Sequence, residues 1–282
     1  MRWQVGEATI TKVLEKEVHW PFSALLPDVT PEMIDEHPWM RPHYVDDQGK
    51  MVLSMHGLVI ESEGRRILVD TCIGNDKVRP TRSFNQLQTS FLEDLEQAGF
   101  PTSSIDSVVC THLHVDHVGW NTRLVDGRWV PTFPQARYLL GKVEFEFWKE
   151  NEDPATFGEV MGDSVLPVWE AGLVDLVDSD HQLTSEVRLE PTPGHTPGHH
   201  SVVVESKGER AVITGDMTHS PIQFAIPDLP SHADTDGDRA IATRQAFVAR
   251  YASTPTLVIG THFAGPTAGH IVADGDTWRF DA

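Results

Sequence analysis

Only two cysteines, Cys72 and Cys110, occur in 282 residues, and they form no C-x-x-C pair. That excludes a disulfide framework, a zinc ribbon and a thioredoxin-like redox centre. Both lie in apolar surroundings, Thr71-Cys72-Ile73 and Val108-Val109-Cys110, where buried free thiols are expected. Positive charge is scarce as well: 22 Lys and Arg stand against 42 Asp and Glu, a formal net charge of −20. Such a surface repels phosphate backbones and anionic membranes, so neither nucleic acid nor membrane is an expected partner. No apolar run reaches the length of a membrane span, and the start, Met1-Arg2-Trp3-Gln4-Val5, shows no basic region followed by an apolar one. A soluble, cytoplasmic protein is the expectation. Internal repeats, low-complexity tracts and a G-x-S-x-G nucleophile elbow are also missing.

The length is within reach of one large α/β domain and ample for a core without staples. Alternating or continuous apolar runs predict strands over 7–16, 52–61, 65–70, 107–110, 137–140, 187–192, 200–205, 211–215, 256–259 and 277–280. Helical spacing predicts helices over Phe84–Ala98, Val143–Lys149 and Ala240–Tyr251. Residues 17–50 differ, being rich in proline and aromatics, with one short helix near Pro31–Glu36. This segment reads either as a surface excursion packed on the domain or as a lid or dimer arm near the active site. Strands and helices in two successive sets suggest two sheets with helices outside.

The run Thr111-His112-Leu113-His114-Val115-Asp116-His117 packs three imidazoles and a carboxylate into six positions. These are ligand types that suit zinc and its first-row neighbours. Three more candidates follow strands. Pro193-Gly194-His195-Thr196-Pro197-Gly198-His199-His200 is a glycine- and proline-fixed turn in which His195 is free to face a metal. His199 and His200 read instead as polar residues opening the next strand. Ala211-Val212-Ile213-Thr214-Gly215-Asp216 ends a strand in a carboxylate, whose two oxygens can bridge two metals. Val258-Ile259-Gly260-Thr261-His262 ends another in a single imidazole. Each candidate therefore sits where a strand gives way to a loop, at one rim of a sheet.

With THLHVDH at 111–117, PGHTPGH at 193–199, TGD at 214–216 and GTH at 260–262, the chain resembles the metallo-β-lactamase-fold hydrolase superfamily over residues from about 52 to 265. The resemblance implies a single α/β domain over 1–282, a four-layer αβ/βα sandwich, with 17–50 as an N-terminal excursion. It implies two divalent metal ions, zinc foremost, with iron, manganese or cobalt as alternatives. His112, His114 and His195 would hold the first, Asp116, His117 and His262 the second, and Asp216 would bridge them. Asp70, at the end of Leu68-Val69-Asp70, would support the site without ligating. The implied chemistry is hydrolysis by a metal-bridging hydroxide, with Asp116 or a metal-bound water passing a proton to the leaving group. The substrate would be a small ester, lactone or aryl phosphotriester. A homodimer is compatible with the resemblance.

Within that superfamily the bridging Asp216 argues against a true β-lactamase, and the acidic balance against a nuclease. Acyl homoserine lactonases commonly carry a tyrosine three residues after the bridging aspartate, where this chain has His219. That favours the aryl-ester and organophosphate branch, with quorum-quenching lactonase as the alternative. His219 reads either as a hydrogen-bond donor to substrate or as a residue that supports or caps its neighbours. Trp120 and Phe263, then Phe145, Trp148 and Phe224, are candidate pocket residues. Asp234-Thr235-Asp236-Gly237-Asp238 reads as an acidic helix N-terminus. A metal-binding scaffold without catalysis is the reading from another class.

Overall fold

The longest apolar runs become strands buried on both faces, as layers packed from two sides demand. The computed structural model describes all 282 residues. Its first sheet is formed by Arg2–Val5 (β1), Ala8–Trp20 (β2), Met51–Ser62 (β3), Arg65–Val69 (β4), Ser107–Cys110 (β5), Arg137–Gly141 (β8) and Val174–Val177 (β9), in that spatial order. Thr122–Val125 (β6) and Arg128–Pro131 (β7) form a separate hairpin. The second sheet holds Val187–Pro191 (β10), His200–Ser206 (β11), Glu209–Ile213 (β12), Leu257–Ile259 (β13), Ala268–Asp274 (β14) and Thr277–Asp281 (β15). Helices are Pro31–Glu36 (α1), Phe91–Gln97 (α2), Lys142–Asn151 (α3), Pro154–Phe157 (α4), Leu166–Glu170 (α5), Ile222–Ala225 (α6) and Gly237–Tyr251 (α7).

Side-chain alternation divides the apolar residues into two cores. Leu58, Ile60, Ile67, Val69, Val109 and Leu139 of the first sheet meet Val202, Val204, Ala211, Ile213 and Ile259 of the second. Their strand neighbours Val59, Leu68, Val108, Tyr138, Val203, Val212 and Val258 share the other core with Phe91 and Leu95 of α2, Phe145 of α3, and Phe247 and Val248 of α7. The order is therefore helix, sheet, sheet, helix, the sandwich that the resemblance implies.

Two pairings place the functional loops. β4, β5, β8 and β9 run parallel, as do β12 and β13. The segments after β4, β5, β12 and β13 thus emerge at the carboxyl ends of parallel strands, where open α/β sheets bind ligands. Asp70 directly follows β4 and takes φ +57, a left-handed conformation unfavourable for a residue with a Cβ.

Three local expectations need correction. Helix α2 begins only at Phe91, not at Phe84. Residues before it spend their backbone donors on other segments: Gln86 donates to the Lys77 carbonyl at 2.7 Å and Thr89 to Asn75 Oδ1 at 2.7 Å. Gln86 also sits at φ +47, which no helix accommodates. Strand β2 runs through Trp20, so its last residues enter the proline-rich segment. Strands β1, β6, β7, β9 and β14 were not expected from pattern, being four-residue or partly exposed strands with weak alternation.

Candidate metal centre

Asp70 organises the loop that follows β5. Its Oδ1 accepts the Thr111 backbone N–H at 2.8 Å, its Oδ2 accepts the Thr111 hydroxyl at 2.9 Å, and Oδ2 also takes the His117 Nδ1–H at 2.9 Å. The Thr111 hydroxyl, having donated, accepts from His112 Nδ1 at 3.1 Å. Protons are thereby held on Nδ1 of both His112 and His117, which leaves lone pairs on their Nε2 atoms.

His195 arrives from the second sheet in the same state. Its Nδ1 donates to Asp234 Oδ1 at 3.0 Å. Its Nε2 then stands 3.2 Å from His112 Nε2 and 2.9 Å from His114 Nδ1. On the other side, His262 donates from Nδ1 to the Ser54 carbonyl at 3.3 Å and turns Nε2 to within 3.1 Å of Asp216. His117 Nε2 lies 3.3 Å from Asp216 Oδ2, and Asp116 reaches His117 Nε2 at 3.7 Å and His262 Nε2 at 3.6 Å. Two groups that could each hold a metal ion result, His112/His114/His195 and Asp116/His117/His262, with Asp216 between them.

Lone pairs facing lone pairs at such distances repel unless a cation lies among them. The ionisation states differ between the two sides of the centre. Burial pulls His112 and His195 well below the ordinary imidazole range and His114 down to about 4, so these rings are neutral. At His117 and His262 burial acts the same way but is outweighed, chiefly by the Asp216 carboxylate, which holds both above that range. Buried His117 Nε2 and Asp216 Oδ1 make no hydrogen bond within the protein. The donor set, five imidazoles plus two carboxylates, fits two divalent ions of the zinc type, which would take the place of the protons that Asp216 draws onto His117 and His262.

Residues outside the ligand set hold these groups in place. His199 is fully buried with both ring nitrogens engaged: its Nδ1 donates to the Thr192 carbonyl at 2.9 Å, and its Nε2 accepts the Asp216 backbone N–H at 2.8 Å. His200 is buried too, so neither ring lies on an exposed strand face. Gly215 makes room for His199; a Cβ there would stand 2.4 Å from His199 Nε2, at a φ of +57. Asp236 does cap α7, accepting from the Arg239 N–H at 3.1 Å. Asp234, by contrast, turns inward to His195, a role that its place in an acidic stretch did not signal. Residues 234–236 are also tied to the His195 turn by the backbone: Thr235 N donates to His195 O at 2.8 Å and Asp236 N to Gly194 O at 2.9 Å.

A cavity of about 170 Å³ opens over the centre, with His114, Asp116, His195, Asp216, His219 and His262 in its wall. The apolar wall comes from Trp20, Leu25, Leu53, Met55, Phe84, Val115 and Phe157. None of the expected pocket aromatics lines it. Trp120 donates its indole N–H to Glu15 at 2.6 Å, and Phe224 and Phe263 pack together with Phe280 in the core. Phe145 stacks on Trp169, while Trp148 packs edge-on at 5.2 Å from His114. The proline-rich segment supplies Trp20 and Leu25, so it forms part of the pocket wall.

His219 is 3% exposed, its Nε2 lies 3.4 Å from Asp216 Oδ2, and neither ring nitrogen has a hydrogen-bond partner. Its backbone N–H is held by Gln223 Oε1 at 2.8 Å, which fixes the ring beside the ligands.

A family model described as the metallo-beta-lactamase superfamily matches residues 57–262. An N-acyl homoserine lactonase of Bacillus sp is 26% identical over 179 residues, which cover 59% of this chain and 64% of that protein. The chain thus spans less than two thirds of that relative's length. Among solved structures, AidC, a dizinc quorum-quenching lactonase, superposes with a TM-score of 0.79 at 22% identity, over 99% of this chain and 96% of its own. The hydrolase AbOPH gives 0.80 at 23% identity with the same coverage. At these identities the structural likeness is one of fold.

Proposed function

Since the chain belongs to the metallo-beta-lactamase superfamily, we propose that it is a hydrolase of small carboxylic esters working with two divalent ions, zinc foremost, and that lactones with an apolar substituent are its first substrate class. The observation that carries this reading is the convergence of imidazole lone pairs and the Asp216 carboxylate on the floor of an apolar cavity. The lactonase relative and the dizinc lactonase neighbour support the choice of bond and metal.

Two ions held by these groups would lower the pKa of a shared water to about 7 and polarise an ester carbonyl. His112, His114 and His195 would hold one ion and Asp116, His117 and His262 the other, with the Asp216 carboxylate available to both. Asp70 and Asp234 keep the protons of His117 and His195 on Nδ1, so that Nε2 remains a ligand atom. Trp20, Leu25, Phe84 and Phe157 seat the apolar part of the substrate and exclude water from the reacting bond. Asp116, the most exposed carboxylate of the site, carries a proton to the departing oxygen. His219, with both nitrogens free and a place in the cavity wall, donates a hydrogen bond to the substrate.

A second reading, aryl esters or phosphotriesters, is favoured by His219 itself, which stands where acyl homoserine lactonases commonly carry tyrosine. Elemental analysis together with turnover of a lactone, an aryl ester and a phosphotriester tests both. Two metal equivalents with fastest lactone turnover support the first reading. Turnover confined to activated leaving groups supports the second. Full metal content without turnover on any of them would leave a metal-binding scaffold.

A further inference from the structure

We propose that Glu144 is a positioning residue of the first metal group, its carboxylate locking together the two loops that carry His112, His114 and His195. The proposal rests on the preceding reading that this group holds a metal ion.

The three histidines come from different sheets. His112 and His114 follow β5 of the first, and His195 precedes β11 of the second. Their mutual geometry therefore depends on how two separately built loops are held across the rim. Glu144 lies in the first turn of α3, is 1% exposed, and reaches both loops. Its Oε1 accepts the backbone N–H of Leu113 at 3.2 Å, the residue between the two ligands. Its Oε2 accepts the backbone N–H of Gly198 at 2.9 Å, in the turn that presents His195. The Trp148 indole N–H also donates to Oε1 at 2.6 Å, and that ring packs against His114.

The approach is close enough to require glycine on the far side. A Cβ at Gly198 would stand 2.4 Å from the Glu144 backbone nitrogen. An apolar side chain in this place would avoid the cost of burying a carboxylate, but it would orphan two loop N–H groups. Burial raises the Glu144 carboxyl, and the Thr196 hydroxyl, then the N–H groups of Trp148, Leu113 and Gly198, oppose that rise. One other backbone link joins the loops here, His200 N to Thr111 O at 3.1 Å, and it lies outside the ligand triplet. The carboxylate is the contact that bears directly on Leu113 and hence on both flanking imidazoles.

The test is zinc binding to the metal-free protein, read by competition with a chromophoric chelator. Wild-type protein is compared with Glu144→Gln, and both are repeated in a His262→Ala background, where the first group alone is complete. The glutamine amide has one acceptor and one NH₂, so it must confront an N–H on one of the two loops. We expect zinc affinity of the first group to fall about 10-fold to 100-fold, the scale of lost outer-sphere support, with the second site of the full ligand set changed less than about 3-fold. Unchanged affinity at the first group overturns the proposal. Equal weakening of both sites with a lower melting temperature of the metal-free protein also overturns it, because that is general loss of packing. Should the variant fail to fold, amide exchange in the metal-free wild type decides. Leu113 and Gly198 N–H groups should be protected like Val109 in β5; exchange at the rate of an open loop overturns the clamp. A wild type that binds fewer than two zinc ions would refute the metal reading itself and is distinct from either result.

Discussion

At position 219 a histidine stands three residues after Asp216, buried, with neither nitrogen bonded to another protein atom. A buried unpaired imidazole costs on the order of 1–3 kcal/mol, a penalty relieved when a substrate oxygen arrives. If His219 assists departure of the leaving group, its value depends on how basic that group is. Replacing it with alanine should lower kcat/KM about 10-fold to 100-fold for aryl esters, the scale of one hydrogen bond to a developing charge. For alkyl lactones the loss should be greater, since general acid help is worth about 10²–10⁴-fold. The measurement is kcat/KM of one variant over leaving groups of graded pKa. A flat loss assigns His219 to substrate positioning, and no loss on any substrate assigns it a structural role.

At the scale of elements, the segment from Asn75 to Ser90, of which only 84–90 was expected to be helical, is held by tertiary anchors beside the pocket. Lys77 is fully buried, donating to Thr122 Oγ1 at 2.6 Å and to the Asp163 carbonyl at 2.7 Å, with its ammonium 3.7 Å from the centre of the Trp129 ring. Arg79 makes a two-pronged pair with Asp163 at 2.6 and 2.8 Å. Burial pulls the Lys77 ammonium down to about 7 from its ordinary 10.5, against the pull of Asp163. Between those values the unfolded chain holds a proton that the folded chain has released, so stability rises with pH in that window. The stability of wild type minus that of Lys77→Met should therefore climb by roughly 1.4 kcal/mol per pH unit between pH 7 and about 10. Urea unfolding at pH 7, 8 and 9 measures it. A constant difference would mean that Asp163 keeps the lysine charged throughout.

Helix α4 makes a second contribution at this scale. Asp153 caps it, accepting from the Ala155 N–H at 3.1 Å and the Thr156 N–H at 3.3 Å, and Phe157 is laid over the His114 ring at 5.3 Å between centroids. Phe157→Ala removes one apolar wall, and with it the ring stacked on His114, while leaving every proposed ligand side chain in place. KM for a lactone with a long acyl chain should rise about 10-fold, the value of roughly 1–3 kcal/mol of lost apolar contact. kcat should change much less, and a short-chain substrate should show little effect. Equal effects on long and short chains would remove Phe157 from the substrate wall.

For the molecule as a whole, the proposed metal centre lies where residues of the two sheets meet at one rim. Metal binding to the folded chain alone should therefore stabilise the entire sandwich. At zinc concentrations 100-fold above the dissociation constant, each site contributes about 2.7 kcal/mol. Exhaustive chelation should lower the melting temperature by several degrees at least, at about 2–4 °C per kcal/mol for a chain of this size. Readdition of zinc should restore it. Identical melting curves before and after chelation would show that the centre does not join the sheets energetically. No helix is long and apolar enough to cross a membrane.

The clustered imidazoles and carboxylates proposed as ligands were legible because they lie in short runs with distinctive chemistry, each after an apolar strand. His112, His114, Asp116 and His117 fall within one loop, and His195, Asp216 and His262 mark further strand ends. The two-sided burial of the central strands was readable for the same reason, since side-chain alternation and apolar continuity are properties of a few neighbouring residues. Helix α2 was overextended because spacing alone cannot show that Gln86 and Thr89 bond elsewhere. Contact partners far along the chain were decided only by the packed structure. Asp234 meets His195 across 39 positions, and Glu144 meets Leu113 across 31 and Gly198 across 54. Likewise Trp20, Leu25, Phe84 and Phe157 became pocket wall, while Trp120 and Phe263, nearer the ligands in sequence, went to the core. Residue type determines which atoms carry a lone pair or an apolar surface. Which of them meet is set by how the two sheets stack, and no local pattern encodes that.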